Sequence, residues 1–302
     1  MPIESGNLVI VKLIGGLGNQ MFQYAAGRAL SLTHDAELKL DISSYGNYKL
    51  HNGYELHVLN VAARFAEAKE IAALLGRAPK LARLLDRRFG LGKKTYLLER
   101  SYSFDSRISN VALPVYLEGY WQSHKYFEAH ANQLRNDFAF NSPISGRNLE
   151  LAERITDKCS VSVHVRRGDY ASNPVTNGVH GTLSVEYYRR AIDYMVERLV
   201  SPEFFVFSDD IEWAKKNLSF GKNITFVSHN TGRTSFEDLR LMCLCRHQII
   251  ANSSFSWWAA WLNLGSHKIV VAPKRWFRDL SVSTEDLIPG DWTLIDTGAK
   301  VK

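Results

Sequence analysis

Apolar and polar residues in the first half of the chain follow the pattern of alternating strands and helices. Residues 8–14 form an almost continuous apolar run, which predicts a buried strand. A glycine-rich turn at 15–18 follows, and apolar side chains then recur at helical spacing from Met21 to Leu30. Further strands are predicted at 38–40 and 115–118, and helices at 62–88 and 125–138.

A second series of predicted strands and helices begins after residues 141–146, which are rich in turn-forming residues. Short apolar runs then alternate with segments of helical periodicity, as is typical of a parallel sheet with helices on both faces. The apolar runs lie at 161–165, 204–207, 224–227, 248–251 and 268–272, and the helical segments lie at 186–199, near Trp213, at 236–245 and after Phe255. The sequence therefore predicts an α/β protein with two facing Rossmann-type domains, residues 1–145 and 146–302.

Composition and charge narrow the class of protein. The 302 residues are 45% hydrophobic and carry a net charge of +6, spread along the chain. This composition is that of a globular protein, and the mild charge fits a small anionic ligand or a membrane surface better than a nucleic acid. The N-terminus has no basic targeting segment and the run at 8–14 is too short to span a bilayer, so we expect a cytoplasmic protein.

The three cysteines, Cys159, Cys243 and Cys245, are too few for a disulfide framework or a four-cysteine zinc site. We therefore interpret them as structural thiols.

Residues 164–170 carry the strongest chemical signal. They follow directly on the predicted strand 161–165 and place Arg166, Arg167 and Asp169 at its carboxyl end, where open sheets bind their ligands. Guanidinium groups match phosphate oxygens and can neutralise a departing diphosphate. Asp169 is predicted to orient one of the two guanidinium groups.

Two other readings of this segment stay open. The string could form a surface ion-pair cluster instead of a ligand site. It also contains an Arg-Gly-Asp tripeptide at 167–169. An adhesion role would require display outside the cell, which the absence of an export signal disfavours.

The glycine-rich turn offers a second ligand position. Its spacing is not that of a dinucleotide fingerprint, which argues against hydride transfer. Glycines at a strand-to-helix turn still allow close approach of a ligand, and Asn19 fits either a helix cap or a phosphate ligand.

Two further segments end predicted strands. Residues 252–258 place hydroxyl and backbone N–H groups at a helix N-terminus, which suits phosphate, whereas Trp257, Trp258 and Trp261 fit the core better than a stacking platform. Residues 207–210 contain paired carboxylates that fit a metal site, a ligand for a base or ribose, or a helix cap. The arginine pair already supplies the charge of a metal, which disfavours the first reading.

These blocks together resemble glycosyltransferase family 11, the α-1,2-fucosyltransferases. The resemblance rests on residues 15–25, 118–123, 164–170, 207–210 and 250–258, which stand in family order and span most of the chain. It implies a GT-B-like architecture and inverting transfer of fucose from GDP-β-L-fucose to the 2-hydroxyl of a terminal galactose. It also implies that neither a cofactor nor a metal is required.

By the same resemblance, Arg166 and Arg167 bind the GDP phosphates and Asp169 supports them. Asn19 would reach the diphosphate from the N-terminal, acceptor-side domain. The full set of donor-binding residues implied is Gly16, Gly18, Asn19, Gln20, His164, Ser208, Asp209, Asp210, Asn252, Ser253, Ser254 and Phe255. The acceptor-binding residues implied are Tyr120, Trp121 and Gln122.

The catalytic base and the acceptor stay open at this stage. His180, Glu118 and Asp41 are candidates for the base, and His180 is included among the catalytic residues. The acceptor is expected to be a galactose-terminated oligosaccharide or a lipid-linked glycan, with peripheral association at the inner face of a bacterial membrane. The segment 45–107 is expected to hold acceptor specificity. Rival functions are another GDP-sugar transferase, such as a protein O-fucosyltransferase, and a nonenzymatic carbohydrate-binding protein.

Overall fold

A computed structural model of the chain describes residues 6–47, 52–76, 94–219, 223–279 and 281–298. These residues form two compact units. Unit 1 contains the described residues up to Asn141 together with Glu285–Leu287, and unit 2 contains those of Ser142–Thr284 and from Ile288 onwards. Each unit is built on one sheet whose paired strands run parallel, which confirms the predicted α/β class.

Unit 1 contains five strands in the spatial order β3-β2-β1-β5-β4. Its strands are β1 Leu8–Lys12, β2 Glu37–Asp41, β3 Arg64–Phe65, β4 Tyr96–Leu98 and β5 Val115–Glu118. Its α-helices are α1 Leu17–Thr33, α2 Ala68–Leu75 and α3 Ala131–Asp137, and short 3₁₀ turns lie at Ser43–Asn47, Leu56–Val58, Ser106–Asn110, His124–Tyr126 and Glu128–His130.

Helix α1 packs closely on the central strand β1. A Cβ atom built on Gly27 would lie 2.1 Å from Cγ2 of Val11, so only glycine permits this approach. The opposite face of the sheet packs Ile10, Tyr96 and Tyr116 against Leu74 of α2. Both faces of the central strands are therefore covered, which explains their continuous apolar sequence.

Unit 2 contains six strands in the order β11-β10-β9-β6-β7-β8. Its strands are β6 Ser160–Val165, β7 Glu203–Ser208, β8 Ile224–Val227, β9 His247–Ile249, β10 Val270–Pro273 and β11 Thr293–Ile295. Its helices are α4 Gly146–Asp157, α5 Gly168–Ser172, α6 Pro174–Val179, α7 Val185–Val196, α8 Ile211–Asn217, α9 Phe236–Leu244 and α10 Ser254–Leu262, with a 3₁₀ turn at Gly232–Thr234.

The core of unit 2 lies between this sheet and its helices. Val161, Val163 and Val165 of β6 are fully buried and pack with Tyr187 of α7 and Ala214 of α8. Trp257 and Trp258 of α10 are also fully buried, so the prediction that they belong to the core is confirmed. Their aromatic surface stabilises the sheet that positions the site residues.

The structure corrects two helix predictions in unit 1. Arg64 and Phe65, inside the helix predicted at 62–88, form strand β3, because they pair with Lys39 and Leu40 of β2. Helix α2 accounts for part of that segment, and residues 77–88 lie outside the described part of the chain. The helix predicted at 125–138 is α-helical only in Ala131–Asp137 and is preceded by two 3₁₀ turns.

Within the described ranges, no helix has the length and apolar character needed to span a bilayer.

Candidate functional site

Two arginines and two aspartates meet at the carboxyl edge of the sheet in unit 2. Strands β6 and β7 are adjacent and paired in register, with Val165 opposite Ser208. Because parallel strands end at the same edge, Arg166 and Arg167 emerge next to Asp209 and Asp210. The strand-end position predicted from the sequence is thus where the structure places all four side chains.

The carboxylates bind the arginines directly. Oδ2 of Asp209 lies 3.1 Å from Nη1 of Arg166, and Oδ1 of Asp209 accepts a hydrogen bond of 2.8 Å from the backbone N–H of Arg167. Oδ2 of Asp210 lies 3.4 Å from Nε of Arg167. The arginine side chains are 23% and 19% exposed, so they are held in place and still accessible to a ligand.

Aromatic rings support both guanidinium groups. Cζ of Arg167 lies 4.0 Å from the ring centroid of Trp213, and Cζ of Arg166 lies 5.4 Å from that of Tyr170. The sequence reading did not assign Trp213 to the site. The sequence does contain a signal for this placement, namely the capping aspartate three positions earlier. Asp210 caps α8 by accepting from the N–H of Trp213 at 3.2 Å. An aromatic residue three positions after a capping aspartate is held on the first helical turn.

Gly168 permits the close approach of Asp209. A Cβ atom at Gly168 would lie 2.7 Å from Oδ2 of Asp209, the same oxygen that binds Arg166. The backbone of the next residue, Asp169, lies in α5, but its side chain is outside the part of the chain that the structure describes. The orienting role predicted for Asp169 therefore stays a prediction, whereas Asp209 and Asp210 are observed to contact the arginines.

His180 lies in an aromatic stack. Its ring is 4.7 Å from that of Tyr170, with the planes nearly parallel at 11°, and 5.2 Å from that of Phe277. Because the guanidinium of Arg166 lies over the ring of Tyr170, the stack connects the candidate base to the arginine pair.

Asn252 connects the loops at this edge of the sheet by hydrogen bonds. Its Nδ2 lies within hydrogen-bonding distance of the carbonyl oxygens of His180, Gly181 and Trp276, at 3.0, 3.2 and 3.0 Å. Its own carbonyl oxygen accepts a hydrogen bond of 3.3 Å from the hydroxyl of Tyr170. The predicted donor-binding residue Asn252 thus fixes the loop that carries His180.

The remaining donor-side residues of unit 2 lie at the end of β7 and at the start of α10. Ser253 caps α10 by accepting from the N–H of Phe255 at 3.3 Å, and Ser254 begins that helix. The hydroxyl of Ser208 accepts from the N–H of Asp210 at 2.9 Å.

His164 lies beneath this edge of the sheet. Its ring is 5.7 Å from that of Phe255, and burial, together with nearby Arg166, lowers the pKa of His164 to about 3. At neutral pH this imidazole is uncharged.

The predicted phosphate residues of unit 1 lie around the start of α1. Gly16 is the N-cap, Gly18 is buried, and Asn19 accepts a hydrogen bond of 2.8 Å from Nε2 of Gln122.

Gln20 is fully buried at this turn, and its amide lies within hydrogen-bonding distance of the carbonyl oxygens of Gly15 and Gly53 and of the N–H of Glu55. The amide of Gln20 is therefore engaged with the backbone of its own unit.

The predicted acceptor residues lie beyond β5. Trp121 is fully buried and Gln122 is 7% exposed, whereas Tyr120 is partly exposed. Of these three, Tyr120 has the side chain most accessible to a sugar.

The other two candidate bases also lie in unit 1. Glu118 binds Nζ of Lys12 and the hydroxyl of Tyr96, both at 2.9 Å. Asp41 is 3% exposed and accepts from the hydroxyl of Tyr116.

No group of three or more His, Cys, Asp and Glu side chains within the described residues is arranged to hold a metal ion. The described site at the carboxyl edge instead combines two oriented guanidinium groups with the N-terminus of α10. Such an arrangement can bind an anion with several oxygens and stabilise negative charge that develops on it.

Known sequences that are similar to this chain belong to glycosyltransferases. Residues 91–296 match the sequence model described as Glycosyl transferase family 11. An α-1,2-colitosyltransferase of Escherichia coli is 38% identical, with the alignment covering 96% of this chain and 99% of the relative. The human galactoside α-(1,2)-fucosyltransferase 1 is 29% identical over 48% of this chain and 42% of its own length.

Among solved structures, the NodZ α-1,6-fucosyltransferase co-crystallized with GDP superposes with a TM-score of 0.52. The superposition covers 85% of this chain and 92% of that chain at 14% identity, so the likeness concerns the fold. The predicted GT-B-like fold class is confirmed by this neighbour together with the two parallel sheets.

Proposed function

The chain belongs to glycosyl transferase family 11, and on this premise we propose that it transfers L-fucose from GDP-β-L-fucose to the 2-hydroxyl of a terminal galactose. Membership of the family makes the chain a glycosyltransferase and argues against a purely sugar-binding protein. The α-1,2 linkage in the names of the E. coli and human relatives supports the proposed position of transfer.

The observation that carries the proposal is the oriented arginine pair. Arg166 and Arg167 lie at a strand end, each beside a carboxylate that fixes its guanidinium. The two arginines and their two aspartates have a combined charge of zero, so attraction of the diphosphate depends on directed N–H donors more than on net charge. Donors fixed in advance stabilise developing charge without reorganisation during the reaction.

We place the donor around this pair. The diphosphate lies against Arg166 and Arg167, and the N-terminus of α10, with Ser253, Ser254 and Phe255, lines the nucleotide pocket. The helix dipole and the backbone N–H groups of its first turn add to the attraction of phosphate. His164, Ser208 and Asn252 belong to the walls of the same pocket. The phosphate contacts expected of Gly16, Gly18, Asn19 and Gln20 stay predictions.

The proposed reaction inverts the configuration at the anomeric carbon. The acceptor hydroxyl attacks opposite the diphosphate as the bond to GDP breaks, and the electron pair of that bond moves onto GDP. The arginine pair stabilises the charge that accumulates there, so no metal is needed in this scheme.

His180 is the candidate base in unit 2 for the proton of the acceptor hydroxyl. The stack with Tyr170 links it to Arg166.

A second donor is favoured by one specific observation. The 38% identical relative is an α-1,2-colitosyltransferase, and colitose is fucose without the 3-hydroxyl. A site that hydrogen-bonds this hydroxyl rejects a sugar lacking it by a large factor, whereas a site that leaves it unbound accepts both. Competition between GDP-fucose and the GDP derivative of colitose therefore separates the two candidates.

The test is incubation of the purified chain with GDP-fucose and a panel of galactosides, followed by linkage analysis of the product. We expect an α-1,2-linked fucosyl galactoside, formed equally well with excess EDTA. Transfer to a peptide would support the protein O-fucosyltransferase alternative, and absence of transfer from either GDP-sugar would overturn the proposal.

A further inference from the structure

The turn at Gly119–Gln122, beyond strand β5, is held by a partly buried carboxylate. Both oxygens of Glu99 accept from the backbone N–H of Trp121 at 3.0 Å, and Oε2 also accepts from the N–H of Tyr120 at 2.7 Å. Glu99 follows directly on β4, the strand next to β5, and its N–H donates to the carbonyl oxygen of Glu118. One side chain thus fixes consecutive amide groups of the turn.

The backbone that Glu99 holds is strained. Trp121 has φ = 55°, in the left-handed region that side chains other than glycine rarely occupy. A Cβ atom on Gly119 would lie 2.4 Å from Cβ of Glu99, so the turn also requires glycine at this position. Strained backbone persists only where its surroundings fix it, and such strain is concentrated at functional sites.

The turn presents an aromatic surface. The ring of Tyr120 stacks on that of Tyr102, with centroids 5.9 Å apart and planes 13° from parallel, and both side chains are partly exposed. Trp121 points into the unit instead, where it is fully buried edge-on against Tyr126. The apolar face of a galactose ring packs well on an aromatic face.

We propose that the stacked pair Tyr102 and Tyr120 is the surface that binds the acceptor galactose, and that Glu99 is the positioning residue that holds Tyr120 in the stack. This inference rests on the proposed function, because it assigns the acceptor site of that reaction. It adds Tyr102 and Glu99 to the acceptor residues expected from the sequence. It also gives Trp121 a supporting role in the turn.

Four variants test the assignment. Glu99→Gln keeps the size of the side chain but directs an NH₂ group at N–H donors, and Tyr102→Ala removes half of the stack without altering the turn. Tyr102→Phe keeps the ring, and Glu70→Gln is the matched control, since Glu70 is a carboxylate on α2 whose side chain is only 12% exposed and binds Lys39. The measurements are the acceptor KM, the GDP affinity by calorimetry, and the binding of methyl β-D-galactoside by saturation-transfer NMR.

We expect Glu99→Gln and Tyr102→Ala to raise the acceptor KM about tenfold and to weaken the NMR signal of the galactoside, while the GDP affinity changes by less than about twofold. Tyr102→Phe and Glu70→Gln should behave like the unmodified chain. The inference is overturned if Tyr102→Ala binds the galactoside normally, or if Glu99→Gln weakens GDP binding as much as it weakens acceptor binding.

The two proposals fail in different ways. If the proposed function is wrong, the unmodified chain does not transfer fucose to galactosides. The galactoside-binding measurement does not depend on turnover, so it decides the acceptor assignment in either case. If Glu99→Gln does not fold, the comparison of Tyr102→Ala with Tyr102→Phe still decides whether the stacked pair binds the sugar.

Discussion

Asp209 binds Arg166 from the neighbouring strand end, with Oδ2 3.1 Å from Nη1 of the guanidinium. The other oxygen of the same carboxylate accepts from the backbone N–H of Arg167. Asp209 therefore orients one arginine side chain and fixes the backbone of the next residue. In the proposed reaction this orientation matters most when negative charge develops on the leaving diphosphate.

Replacement of Asp209 by asparagine should lower kcat about tenfold, because the guanidinium of Arg166 loses its charged partner. The GDP affinity should change by less than about threefold, since the lost orientation is offset by removal of a negative charge near the diphosphate. Steady-state kinetics and calorimetry separate the two effects. Glu212→Gln on α8, which removes an exposed partner of Lys215, is the control and should leave both values unchanged.

Arg166→Ala should lower kcat about 10²- to 10³-fold, corresponding to roughly 3–4 kcal/mol of lost transition-state stabilisation. Turnover is to be measured at saturating donor, with circular dichroism to verify folding. Arg190→Ala is the matched control, because it removes an arginine from the exposed face of α7. Near-normal turnover of folded Arg166→Ala would remove this residue from the proposed mechanism.

Gly168→Ala should lower kcat by about the same factor as Asp209→Asn, because the added Cβ would lie 2.7 Å from Oδ2 of Asp209 and displace that carboxylate. Gly178 on α6 offers a matched control. A Cβ at Gly178 meets nothing within 4 Å, so Gly178→Ala should retain full activity. Equal activities of the two variants would show that the position of Asp209 does not affect catalysis.

Trp213→Ala should weaken GDP binding about fivefold, because the guanidinium of Arg167 stacks 4.0 Å above the indole ring. Trp213→Phe keeps an aromatic face and should retain most of the affinity. Titration calorimetry with GDP measures both variants. An unchanged affinity in Trp213→Ala would mean that the stack does not order Arg167 for the ligand.

The pH dependence of stability should report on Asp238 of α9. Burial, opposed by a hydrogen bond of 2.8 Å from Nδ2 of Asn230, raises the pKa of Asp238 to about 7. Between an unfolded-state pKa of about 4 and pH 7 the folded chain holds a proton that the unfolded chain releases, so the free energy of unfolding falls as pH rises. The loss is about 1.4 kcal/mol for each unit of raised pKa, as an upper bound.

Asp238→Asn should remove this part of the pH dependence. Denaturant unfolding between pH 4 and pH 8 measures the effect. Glu99, whose pKa burial also raises to about 7, contributes in the same direction, so part of the slope should persist in the variant. A variant with the full slope of the unmodified chain would contradict the raised pKa of Asp238.

Much of the fold was predictable because its signals are local. The apolar runs at 8–14, 161–165 and 204–207 predict strands that the structure shows as β1, β6 and β7, since strands covered on both faces need continuous apolar sequence. At Arg64–Phe65 the helical periodicity of the neighbouring residues predicts a helix. Pairing with β2 overrides that local preference, and the pairing depends on residues distant in the chain.

The sequence by itself determined the family, the two α/β units and the placement of an arginine pair at a strand end, because each follows from short contiguous patterns. Only the tertiary structure decided the partners of those residues. It placed Asp209 against Arg166, Trp213 beneath Arg167, and Glu99 against the turn of Trp121. Such contacts join distant segments, and they depend on strand order, register and helix packing, which no local pattern encodes.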